Sequence, residues 1–113
     1  MNRPTIVCII GSTKFKQQIL GLSQRETLSG RIVINHGFFH HIDMFPITDE
    51  QKKMLDTLML RKIDAADEVL VCDINGYKGK STIAAIEYAR AHDKRVRVFT
   101  EEEIARKNRE SRP

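Results

Sequence analysis

A chain of 113 residues, 41% apolar and 30% charged, is long enough for one domain that buries a core without disulfide or metal staples. No apolar run approaches membrane-spanning length and no basic stretch leads into an apolar one near Met1, so the expected location is cytoplasmic, with no membrane partner. The net charge of +4 favours anionic ligands, but the basic residues are scattered without aromatic interleaving, which argues against nucleic acid as the partner.

In chain order, Thr5 to Ile10 is a continuous apolar run between Pro4 and Gly11, the pattern of a strand buried on both faces. Gly11-Ser12-Thr13 ends it and can cap a helix, and Phe15, Ile19 and Leu22 then recur at helical spacing through about Leu28. Gly30 stops that helix, and Arg31 to Asn35 reads as a second strand. Gly37 to Ile47 is irregular and crowded with Phe38, Phe39, His40, His41 and Phe45. It suits a lid over a planar ring, a hydrophobic plug or a subunit contact. Thr48 and Gln51 form a capping box, and Leu55, Leu58, Met59 and Ile63 give the following helix an apolar face.

Glu68 to Cys72 is a second fully buried strand, followed by the loop Asp73 to Lys80, a helix opening at Ser81-Thr82, and a strand from Arg95 to Phe99. Residues 101–113 read as a charged helical or frayed tail with little to bury. The β-α-β-α-β-α-β alternation predicts a single Rossmann-like or flavodoxin-like α/β domain over residues 1–100, a parallel sheet with helices on both faces. The first and third strands are the most apolar and should be central, which gives the order 2-1-3-4.

Ligands of such sheets bind beyond the carboxyl ends of the central strands. That rule makes Gly11, Ser12, Thr13, Lys14 and Phe15 one candidate ligand-binding loop, and Asp73, Asn75, Gly76, Tyr77, Gly79, Lys80, Ser81 and Thr82 the other, with Gly37 nearby. Glycine admits close approach, helix amides and hydroxyls suit a phosphate or sugar, and Asp73 and Asn75 could hold ribose hydroxyls or a base edge. The competing explanations are ordinary: a turn, a solvated lysine, a serine cap. The run GYKGKST from Gly76 to Thr82 is not a P-loop, because Ile74 stands where that motif requires glycine. His36, His40, His41 and Asp43 match no established metal-ligand spacing and read better as lining or structural groups. Cys8 and Cys72 lie within apolar strands and support neither a disulfide nor a metal site. No metal and no cofactor are expected.

With these pieces placed, the chain resembles the small bacterial and phage members of the nucleoside 2-deoxyribosyltransferase-like family, part of a wider group of nucleotide N-glycosidases and nucleotide-sensing domains. The resemblance is carried by IIGSTKF at Ile9 to Phe15, LRKIDAADEVLV at Leu60 to Val71, GYKGKST, and IEYARAHDKRV at Ile86 to Val96. It implies a nucleoside or nucleotide ligand and a homodimer or higher oligomer. Catalytic members use a glutamate on the helix after the second loop to attack the anomeric carbon of the sugar. Counting from Thr82 and from Lys94, that position falls here on Ala85, which cannot be a nucleophile. The resemblance therefore implies a binding protein on this fold. The alternative is an active N-glycosidase or deoxyribosyltransferase that uses Asp73, which matches an acid at the strand end in relatives, or Glu87. Glu87 is two positions beyond Ala85, about 200° around the helix. A third possibility is an interaction module built on the aromatic loop.

Overall fold

The computed structural model describes residues 3–76 and 78–110, apart from the side chains of 101 and 107–110. Eight elements follow one another: β1 (Ile6–Ile10), α1 (Lys16–Leu28), β2 (Ile32–Ile34), α2 (Asp49–Ala65), β3 (Glu68–Asp73), α3 (Lys80–Ala91), β4 (Arg95–Thr100) and α4 (Glu101–Glu110). The four strands form one parallel, Rossmann-like sheet in the order β2-β1-β3-β4, as the apolar content of β1 and β3 predicts.

Alternation within the central strands explains why they look apolar throughout. Val7 and Ile9 of β1 join Leu70 and Cys72 of β3 in a core against Ile19 and Leu22 of α1. Cys8 and Ile10 point the other way and join Val69 and Val71 against Ile63 of α2 and Ala85, Ile86 and Ala89 of α3. Each strand thus fills two cores, and burying one isoleucine side chain contributes about 1.5–3 kcal/mol. Both cysteines are fully buried, and burial pushes the Cys8 thiol up to about 11.

Two expectations change here. The apolar stripe of α1 does not run to Leu28, which is 68% exposed; the buried position of the last turns belongs to Glu26, at 0% exposure. Three arginines make that burial possible, as described below. Residues 101–110 form a helix, one of the two expected forms, but the expectation of little burial fails: Ile104 is 2% exposed within the core that holds Ile19 and Leu22. A charged composition with one apolar residue still docks when that residue meets a prepared hollow.

Candidate functional site

β1 and β3 lie side by side in register, so the turns that follow them begin next to one another. Gly11 shows how closely they pack. Its φ is +152°, and a Cβ built there would lie 3.0 Å from both the Cβ and the carbonyl oxygen of Cys72. The chain then closes a turn in which the Phe15 amide donates to the Ser12 carbonyl at 3.0 Å, while Ser12 Oγ accepts from the Lys14 amide at 3.2 Å. Ser12 is therefore spent on its own turn. Helix α1 begins only at Lys16, with Phe15 as N-cap and no side-chain cap, so the predicted cap at Gly11-Ser12-Thr13 is not used. Helix α3 opens slightly earlier than predicted, on Gly79 as N-cap, which places Ser81 inside the first turn. The amides of that turn have no intrahelical acceptors.

Between these turns and α2 lies a cavity of about 590 Å³. Of the predicted ligand-binding residues, Gly11, Ser12, Thr13, Gly79, Lys80, Ser81 and Thr82 line it together. Lys14, Phe15, Gly37, Asn75, Gly76 and the predicted acids Asp73 and Glu87 are not part of its lining. Phe15 packs against the α1-side core, and Asn75 and Gly76 form an exposed turn with φ of 55° and 73°. Asp73 is held by Lys78 at 2.9 Å and is largely buried. Glu87 is exposed on the outer side of α3, as its angular offset from Ala85 requires. Tyr77 lies outside the described residues. Ala85 itself is 1% exposed and lines the cavity, so its methyl group occupies the wall where a longer side chain would enter the space.

The irregular loop divides its aromatic residues between two tasks. Phe39 plugs the core on the α1 side, at 5% exposure, while Phe38 lines the cavity and meets Phe45 edge-on at 5.7 Å. His36, His40 and His41 also line the cavity, in keeping with their reading as lining groups. His36 Nε2 donates to the Gly11 carbonyl at 2.8 Å, because a carbonyl can only accept; this assigns the proton to Nε2 and leaves Nδ1 buried with no hydrogen-bond partner among the described residues. Burial holds the His36 pKa below its ordinary value, the Gly11 carbonyl opposes this, and Lys62 and His40 add to the depression. His41 Nδ1 is hydrogen-bonded to Thr13 Oγ1, and its pKa is lowered by burial first and then by His40, Lys14 and Lys52. Both shifts favour the neutral ring over the charged one.

Sequence reasoning missed the contribution of α2. The capping box of Thr48 and Gln51 forms as predicted. Along the helix, however, Ile63 is the residue that is fully buried. Leu55 and Met59 line the cavity, together with Lys52, Asp56 and Lys62. The signal was present as helical spacing: 52, 55, 56, 59 and 62 fall on one stripe, charged at both ends and in the middle. Lys62 Nζ donates to the Asn35 carbonyl at 2.9 Å, which ties this stripe to the end of β2.

Among the described residues no group of three or more His, Cys, Asp or Glu side chains is placed to hold a metal ion. No protein-family model and no curated protein matches the chain.

Proposed function

We propose that the cavity binds a nucleoside or nucleotide, and that the protein is a ligand-binding member of the nucleoside 2-deoxyribosyltransferase-like family with its glycosidic chemistry weakened or lost. The observation that carries this reading is the juxtaposition of two turns and one alanine. The Gly11 to Thr13 turn and the Gly79 to Thr82 turn share one cavity, and Ala85, the position at which catalytic relatives place their glutamate, faces the same space. Hydroxyls of Thr13, Ser81 and Thr82 suit a sugar, and Lys52, Lys62 and Lys80 supply the positive field that an anionic ligand requires. A volume of about 590 Å³ is within the range of small-molecule sites. Phe38, which lines the cavity, supplies aromatic surface against which a base can pack.

The alternative, cleavage of the glycosidic bond by Asp73 or Glu87, has weaker support because neither carboxylate lines the cavity. Nucleophilic attack needs an oxygen in contact with the anomeric carbon.

Thermal stabilisation by a panel of nucleosides and nucleoside monophosphates tests the reading, together with chromatography for released base. The expected result is stabilisation without base release, lost when Lys80 and Ser81 are both replaced by alanine. Base release abolished by Glu87→Ala or Asp73→Asn would favour the enzyme, and no stabilisation by any ligand at millimolar concentration would refute binding. Homodimer formation, which the resemblance also implies, is checked by light scattering on the same samples.

A further inference from the structure

Lysines outnumber carboxylates around the cavity: Lys52, Lys62 and Lys80 line it, and Asp56 is the one carboxylate among its described lining residues. Asp56 is already engaged. Lys52 Nζ donates to Asp56 Oδ1 at 2.5 Å and to Ser81 Oγ at 2.7 Å. Ser81 Oγ donates in turn to the same Asp56 oxygen at 3.1 Å. An ammonium, a hydroxyl and a carboxylate therefore close a triangle between α2 and the first turn of α3, the two helices that wall the cavity. The Lys52 and Asp56 side chains are 41% and 49% exposed, so a ligand can reach the triangle.

A ligand oxygen held by both Lys52 and Ser81 would sit roughly 3 Å from each donor, and hence within a few ångströms of the Asp56 carboxylate. For a phosphate oxygen that contact is a like-charge repulsion. For a sugar hydroxyl it is a hydrogen bond, because the hydroxyl can donate to Asp56 while accepting from Lys52.

We propose, resting on the reading of the cavity as a nucleoside or nucleotide site, that Asp56 is a tethered anion that occupies the Lys52–Ser81 end and makes it select an uncharged, hydroxyl-bearing group over a phosphate. Asp56 is thereby a specificity-determining residue, and the favoured ligand class is the unphosphorylated nucleoside. An exposed i, i+4 ion pair contributes little to helix stability, so the chief consequence of the triangle is for what binds beside it.

Calorimetric titration of a nucleoside and its monophosphate into the wild type, Asp56→Asn and Asp56→Glu separates the outcomes. Asp56→Asn preserves shape and removes the charge. It should raise the affinity for the monophosphate relative to the nucleoside by about tenfold at low ionic strength, with the gain shrinking as salt screens these half-exposed groups. Asp56→Glu keeps the charge and should leave the ratio near that of the wild type. If the nucleoside binds but the ratio is the same in Asp56→Asn as in the wild type, or moves equally in Asp56→Glu, the role of Asp56 is overturned while the binding reading stands. If neither ligand binds any of the three proteins, the binding reading fails and the role of Asp56 falls with it.

Discussion

The two sides of the sheet treat charge in opposite ways. On the α1 and α4 side, Glu26 is completely buried and surrounded by cations: Arg25 contacts it directly, Arg97 lies 3.4 Å away and Arg31 3.6 Å. Arg97 reaches on to Glu68 at 2.9 Å and lies over the Phe99 ring at 5.5 Å. On the α2 and α3 side, Lys52, Asp56 and Ser81 are partly exposed and border an open volume of about 590 Å³. A fully buried carboxylate among several guanidinium groups is committed to its neighbours, since removing either partner strands the other. Charges around an unfilled space are free to exchange partners with a ligand. Buried charge with no space beside it serves the fold; partly exposed charge beside a cavity is open to a ligand.

The contrast can be broken most severely at Glu26. Replacing it by alanine leaves Arg97 and Arg31 without their anion, and should lower the unfolding free energy by about 3 kcal/mol, the lower end for buried pairs because the arginines are partly exposed. Urea denaturation measures this; a loss below about 1 kcal/mol would mean that the cluster behaves like a surface salt bridge.

A smaller effect is expected where the two sides meet. Gly11→Ala would push a methyl group to 3.0 Å from Cys72 at a positive φ, so a loss of about 1–3 kcal/mol is expected, with ligand-induced stabilisation reduced as well. Wild-type stability with ligand binding alone diminished would show that the turn adjusts freely.

The mildest test uses pH at the cavity rim. His36 binds a proton less readily when folded than when unfolded, so its stabilising contribution is complete above its ordinary value near 6.5 and declines as pH falls below it. Thermal melts across this interval should show a fall that is diminished in His36→Gln. An identical fall in both proteins would assign the pH dependence elsewhere.

Much of the architecture was legible from residue pattern. Continuous apolar runs at Thr5 to Ile10 and Glu68 to Cys72 identified the central strands and with them the order, and the alternation of elements gave the parallel direction. The cap at Thr48 and the proximity of the two glycine-bearing turns could also be read directly. Local signals failed where an interior position took an unexpected residue. Glu26 sits on the stripe of Ile19 and Leu22, and its cations come from Arg31 and from Arg97, 71 residues away. Ile104 looked solitary until α4 folded against α1.

For the site the same division holds. Chain order and side-chain periodicity were enough to bring the β1 and β3 turns to one edge, because parallel strands with helical crossovers leave all their carboxyl ends on that edge. They could not choose which residues of each turn face inward, since a displacement of one or two residues in a helix start turns a side chain by 100° or more. Nor could they show that α2 lends Lys52, Asp56 and Lys62 to the cavity, or that Asp73 is occupied by Lys78. Those outcomes depend on contacts between segments far apart in the chain, and only packing determines them.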